Sequence, residues 1–382
     1  MPLIFKNVLR NRRRSILTAL SIGGSFCMLG VLMAMYRMFF LVPASPDQAL
    51  RLIVRHRISF TNPLPLSYEN RIAAVPGVRQ VMKYQWFGGT YKDSREFKNL
   101  FPRFAVDANK LFIVRPEYSI SDSEKAAFIR ERSACVLGRP LGQRLGVKIG
   151  DHISVVGDIF PRTLDFVVRG FYDAESDNEN LYFHFDYLNE AVFHGQQDFV
   201  SMYTVLADRA ESVPAIARGI DAIFRNSPQA TKTETEKALQ LSFLSYIGNV
   251  KLFLVALCGS LSLAVLFVAA NTMAMNVRER VSEVGILKTL GFTRGKIMAL
   301  FVGESMAVAE VGGAVGLGFA WLIVDLLHNA PIVYVDLKLL IISPPLAALA
   351  LVLAGLVGVL SSALPAWTAS RRAIIECLRL AD

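Results

Sequence analysis

Four runs of apolar residues, each long enough to cross a bilayer, restrict what this chain can fold into more than any other feature. A spanning helix needs about 20 mostly apolar residues, and residues 16–42, 252–275, 297–327 and 339–364 all meet that length. With 53% hydrophobic and only 19% charged residues and a mean hydropathy of +0.39, the chain is too apolar for an ordinary soluble enzyme. The first run follows the basic stretch RNRRR. It is too long for the apolar part of a signal peptide and no small-residue cleavage pattern follows it, so it reads as an uncleaved anchor.

The basic residues orient these spans. Five positive and no negative side chains lie in residues 1–15, five and two in 276–296, and three and two in 368–382; together they account for the whole formal charge of +9. Positive charge marks the cytoplasmic side, which places both termini and the connector 276–296 in the cytoplasm. Residues 43–233 and the short loop 328–338 then lie outside. The same pattern makes anionic inner-leaflet lipid the natural partner. It argues against nucleic acid, because the charge is divided among three membrane-proximal segments. Residues 1–15 form an amphipathic segment, with Ile4, Phe5, Val8 and Leu9 as its apolar stripe.

Within the external segment the composition changes from residue 46 to residue 208. Short β-rich runs at 50–54, 78–83, 103–106, 152–156, 164–171 and 180–185 alternate with helical stretches at 66–74, 121–131, 140–145 and 213–225. That order predicts an α+β domain. The four cysteines form no disulfide framework, since Cys135 alone falls in the external segment. From residue 234, Leu239, Phe243, Ile247 and Val250 recur at helical spacing and run into the second span. A continuous helix through 276 would be about 64 Å long against about 30 Å of hydrocarbon, so 234–251 reads as a stalk helix ahead of the span 252–275.

The connector 276–296 is charged and helix-prone, with Gly291 as its stop. On a helical wheel Val277, Val281, Val284 and Leu287 share one side, whereas Ile286 and Leu290 point the other way. Two apolar faces suggest packing on the chain's own membrane helices and on another protein; periodicity does not say which face does which. Within the spans, Gly312, Gly313, Gly316 and Gly318, and Ala354, Gly358 and Ser362, are small-residue patterns that let helices approach closely. Glu304 lies near the cytoplasmic end of the third span; Glu310 lies deeper and should face protein, a partner or water. GFTRGK at 291–296 fails as a phosphate loop, having one residue too few between its glycines and Ile297 where Ser or Thr is required. No catalytic constellation or metal-ligand spacing is found. Asp173, Glu175, Asp177 and Glu179 read as a solvated acidic loop.

Taken with the third span, NVRERVSEVGILKTLGFTRGKIMALFVGESMAVAEVGGAVGLG resembles the FtsX-like permease domain of the macrolide-exporter and lipoprotein-releasing class of ABC transporters. Arg280, Glu283, Gly285 and Ile286, then Gly291, Glu304 and the glycines from Gly312, carry the match. Pro365 and the ending Ile375–Arg379 resemble the family's tail, although Ile374 and Cys377 stand where Pro and Ala are usual. KNVLRNRRRSILTALSI and VLGRPLGQRLGVKIGDHISVVG extend the resemblance to the N-terminus and to the MacB-like external core domain.

The resemblance implies a membrane protein of four α-helical spans, with an α+β extracytoplasmic domain between the first two and a cytoplasmic tail at 365–382. It implies a non-catalytic permease in the inner membrane, working as a dimer with an identical or homologous second permease, two copies of a separate ATPase chain that binds ATP and Mg, and in some systems a periplasmic adaptor. The chain itself would hold no cofactor. Arg280, Glu283, Gly285, Ile286, Leu287, Leu290 and Gly291 would form the ATPase-coupling helix, with Glu283, Gly285, Leu287 and Leu290 in contact. Nucleotide-driven closure would be relayed to the external domain, a process called mechanotransmission, to export or extract an amphiphilic substrate (lipid, lipoprotein, peptide or drug). The alternative expectation is an ATPase-driven signalling scaffold that activates a cell-wall hydrolase.

Overall fold

The computed structural model describes residues 12–43, 45–93, 95–174, 177–246, 248–328, 337–373 and 377. The amphipathic segment expected before residue 12, most of the loop 328–338 and most of the tail beyond 373 lie outside the described residues. Two compact units result, one made by Pro43–Gly248 and the other by the long helices on either side of it in sequence.

In chain order, the first apolar run is α1 (Arg12–Phe40), followed by α2 (Pro46–Ala49), β1 (Arg51–His56), β2 (Leu64–Pro65), α3 (Tyr68–Ala73), β3 (Val78–Trp86) and β4 (Gly89–Tyr91). Then come β5 (Arg103–Val106), α4 (Ala108–Val114), α5 (Asp122–Arg130), β6 (Ala134–Gly138), α6 (Arg139–Leu145), β7 (His152–Gly157) and β8 (Thr163–Tyr172). The unit closes with β9 (Leu181–His184), α7 (Phe185–Phe193), β10 (Phe199–Val200), β11 (Met202–Ala207), α8 (Val213–Ile223), β12 (Thr231–Thr235) and α9 (Glu236–Tyr246). The remaining helices are α10 (Val250–Glu279), α11 (Val281–Thr289), α12 (Arg294–His328) and α13 (Pro344–Arg371).

Ten strands form one mixed sheet in the order β12-β1-β11-β3-β5-β9-β6-β8-β7-β4. Its pairs are antiparallel except β5 with β9 and β6 with β8. Side chains alternate across a strand, and this sorts them into two cores. Leu52, Val54, Val81, Ala105, Cys135, Leu137, Leu181 and Phe183 pack with α3, α6, α7 and α8 on one face. Met82, Tyr84, Val106, Ala134, Val136 and Tyr182 pack with α4 and α5 on the other. The fold is thus three-layered, with a mixed sheet buried between helices.

At the β1/β12 end of the sheet the second face is ionic. Arg51 and Arg55 alternate with Leu52 and Val54 and are fully buried. Arg51 Nε lies 2.8 Å from Glu236 and its Nη2 2.7 Å from Glu117. Arg115 Nη2 meets the second oxygen of Glu236 at 2.8 Å and its Nη1 lies 3.2 Å from Asp177. Arg55 and Lys232 each hold Glu234 at 2.8 Å. The register pairs Leu52 with Thr235, so these bonds fasten together the strands by which the chain enters and leaves the unit. Burial alone would raise the Glu236 pKa, but the charges of Arg115 and Arg51 overcome it and hold the carboxyl below its ordinary value. Its contribution is therefore complete above the unfolded carboxyl pKa of about 4.3 and is lost as pH falls through the lowered folded value. Glu236→Gln is expected to cost about 3–5 kcal/mol at neutral pH by leaving two buried guanidinium groups undercompensated. In thermal melts of the full chain the gap between wild type and variant should hold at neutral pH and shrink in acid.

Three sequence expectations need correction here. The helix expected to run unbroken from 234 is divided. Residues up to Thr235 pair as a strand, α9 follows, and Gly248 at φ +124° ends the run before Asn249 caps α10 by accepting from the Leu252 amide at 3.0 Å. The helical period of Leu239, Phe243, Ile247 and Val250 masked this breaker. The fourth helix begins at Pro344 rather than 339, because prolines suit a helix's first turn; it continues through Pro365 to Arg371, taking in residues expected to be tail. The acidic loop is not merely solvated: Asp173 pairs with Arg139 at 2.6 Å, Asp177 with Arg115, and Glu179 with Arg144 at 2.7 Å. Glu175 lies outside the described residues.

In the helical unit α12 packs against α1 on one side and α13 on the other. A Cβ on Gly316 would lie 2.3 Å from the Gly23 carbonyl oxygen, and one on Gly312 2.8 Å from that of Ala19. Across the other seam, Gly313 faces Ala354 and Gly358 faces the Met306 backbone, at 2.8 and 2.7 Å. The small-residue pattern thus serves contacts within the chain, except that Gly318 faces open space. Gly316→Leu should accordingly lower the melting temperature in detergent sharply, by more than the ~1–3 kcal/mol of ordinary overpacking because backbone is struck. Gly318→Leu should leave it unchanged.

A two-faced helix as the candidate functional site

Four helices of the second unit are long and apolar enough to cross a membrane, and α11 is the short helix joining the second of these to the third. The chain turns at Arg280, which ends α10 and precedes α11. Its guanidinium bonds to Glu283 at 2.8 Å and to Glu304 at 2.7 Å and lies 5.4 Å from the Phe301 ring centroid. One side chain therefore ties the end of α10, the start of α11 and the body of α12. Burial would lower the Arg280 pKa, but the bond to Glu283 and the Glu304 carboxylate more than compensate, and it is held above its ordinary value. Glu304 is buried and ion-paired.

Val281 and Val284 pack with Met273, Val277, Ile297, Phe301, Ala366, Ala369 and Cys377, and Leu287 is partly buried against them. Gly285 is also buried. Ile286 is 53% exposed and Leu290, one turn on, 70%. Phe292, in the turn that follows, is also exposed. The helix ends on Gly291 at φ +86°. The Phe292 amide donates to Leu287 O and the Gly291 amide to Lys288 O, both at 3.0 Å, the paired bonds of a Schellman stop. Thr293 then starts α12, accepting from the Lys296 amide at 3.5 Å. Lys288 Nζ donates to the Arg372 carbonyl at the end of α13.

The structure therefore separates the coupling residues expected from sequence. Val281, Val284, Gly285 and part of Leu287 face the chain's own helices, Glu283 is engaged by Arg280, and Ile286 and Leu290 remain as the outward apolar pair. A contact role for Gly285 does not fit its burial. Phe292 was missed as a surface residue, because in sequence it figured only as part of a turn. Glu310 lies apart from this site, sixteen residues into α12 or about 24 Å along it. It is half-buried, and Gly355, whose added Cβ would meet its carboxylate at 2.7 Å, makes room for it. Among the described residues no group of His, Cys, Asp and Glu could hold a metal ion.

Comparison with known proteins finds similarity over parts of this chain. Residues 254–374 match the family described as FtsX-like permease C-terminal. The chain is 27% identical over 325 residues to an ABC transporter permease from Methanocaldococcus jannaschii, covering 81% of this chain and 77% of that one. It is 30% identical to the macrolide export ATP-binding/permease protein MacB of Chromobacterium violaceum over 51% of this chain, but spans only 28% of that protein's length. Among solved structures, the periplasmic region of MacB from Actinobacillus actinomycetemcomitans aligns over 52% of this chain and 93% of its own, at 12% identity and a TM-score of 0.38. The two-faced α11 thus lies within residues 254–374, the part of this chain that is similar to the FtsX-like permease C-terminal domain.

Proposed function

We propose that this chain couples ATP hydrolysis by a partner ATPase to movement of its β-sheet unit, and so exports or extracts an amphiphilic substrate such as a lipid, lipoprotein, peptide or drug. The observation that carries the reading is α11, with one face in the core of the helical unit and Ile286 and Leu290 exposed on the other. An exposed apolar pair on a short connector, edged by polar groups, suits a protein contact. ATP and Mg bind to the partner, and α11 receives its movement.

The bonds around α11 make it a stiff input. Arg280 fixes it to α12, and Lys288 fixes it to the end of α13. A displacement of α11 is therefore shared by the helices as a body rather than absorbed by a loose loop. The sheet unit connects to the spans through the chain preceding β1 and following β12, adjacent strands fastened by the Arg51–Glu236 and Arg55–Glu234 pairs. Both connections thus pull on one ion-paired edge. The distribution of basic residues supports an inner-membrane arrangement with cytoplasmic termini and the sheet unit outside. Native mass spectrometry of the complex purified through this chain tests the assembly. Two permease and two ATPase chains are expected, the second permease being identical or homologous; a permease that never carries an ATPase would refute the reading.

A further inference from the structure

We propose that Lys288, Arg371 and Arg372 form a binding site for the phosphodiester headgroup of an anionic phospholipid, its acyl chain lying along α13. Lys288 Nζ donates to the Arg372 carbonyl, which brings the two residues together. Arg371, the last residue of α13, lays its guanidinium 4.2 Å from the centroid of the Trp367 ring, and Trp367 is 43% exposed. Arg371 and Arg372 are exposed, and none of the three cations has a carboxylate partner among the described residues. Stacking occupies the face of the guanidinium and leaves its N–H edge for phosphate oxygens. The ammonium of Lys288 spends one of its three donors on the carbonyl and keeps two. Cations at a helix C-terminus are also favoured by its dipole.

A stripe below this corner selects a lipid over a soluble phosphate. Leu356, Leu360 and Leu364 precede Trp367 and Arg371 at intervals of three or four residues, which places all five on one helix face, and these leucines are 49%, 60% and 69% exposed. A headgroup held by the cations would set its acyl chain on that apolar stripe, with Trp367 at the boundary where tryptophan is favoured.

The test uses the full chain in nanodiscs, in a Trp321→Phe variant that leaves Trp367 as the tryptophan of the spans, with acyl-brominated phosphatidylglycerol or phosphatidylcholine as quencher. Brominated phosphatidylglycerol should quench Trp367 at lower mole fraction than the choline lipid, by about five-fold for each cation engaged. Lys288→Gln, Arg371→Gln and Arg372→Gln together should abolish that preference while quenching by the choline lipid persists. Should the triple variant misfold, the exposed single change Arg371→Gln should lower the preference about five-fold with the emission maximum unchanged. Soluble glycerol phosphate should not compete. Equal quenching by both lipids, an unchanged preference in the variants, competition by glycerol phosphate, or shielding from both lipids by a second copy of the chain would each overturn the proposal.

Discussion

Glu304→Leu is expected to destabilise the helical unit by about 3–5 kcal/mol, among the largest effects of any single change. Arg280 would keep its bond to Glu283, but its Nη1, now 2.7 Å from the Glu304 carboxylate, would face an apolar side chain beside Phe301. The side chains of Arg280 and Glu304 are 15% and 8% exposed, so water offers little replacement. Removing both charges should cost less than removing either, since the charge that loses Arg280 is then only that of Glu283, whose side chain is 26% exposed and open to water. Thermal unfolding in detergent of Glu304→Leu, Arg280→Met and the double variant reads this directly. If the pair is only incidental, the two single costs will simply add. Loss of the pair also frees α11 from α12, so the double variant, though better folded, should retain ATPase binding and lose the coupling of hydrolysis to transport.

Ile286→Asp with Leu290→Asp should have the opposite signature. Both side chains are exposed, so folding and membrane insertion should match wild type. The partner ATPase, by contrast, should no longer co-purify, because each apolar anchor at the centre of such a contact is worth about 2 kcal/mol or more, roughly thirty-fold in affinity. Val284→Asp, one step round the same helix, should instead unfold the unit by burying a charge in a fully apolar cluster. Size-exclusion profiles with and without the ATPase distinguish the two outcomes. Similar damage from outward and inward substitutions would mean that α11 has no docking face.

The contrast between these positions was visible in sequence as a helix with apolar residues on two sides, but periodicity could not assign the faces. Packing does, because Met273, Ile297, Phe301 and Ala366, distant in sequence, converge on Val281 and Val284. Arg280 and Glu304 belonged to one motif whose partnership is spatial, twenty-four residues apart, and emerges only when α12 returns beside the elbow. In the sheet unit, β7 and β8 were legible because their exposed and buried residues alternate. The strand β6, ACVLG, is buried at all five positions and offers no period. The strand β12, TKTET, reads as polar; it is a strand because Asp221 accepts from the Thr231 and Thr233 hydroxyls and the Thr233 amide, and because Arg55 pairs with Glu234. Gly248 was overlooked for the converse reason, a local breaker outvoted by the strong helical pattern around it.

The central claim is that the outward face of α11 is where the ATPase acts. The most direct measurement places p-benzoylphenylalanine at Leu290, with Gly318, which faces open space within the third span, as the control, and irradiates the complex in membranes. The account predicts that position 290 cross-links to the ATPase chain, in a yield that changes with bound nucleotide, and that position 318 does not. Cross-links from 290 to lipid or to a second permease alone would contradict it.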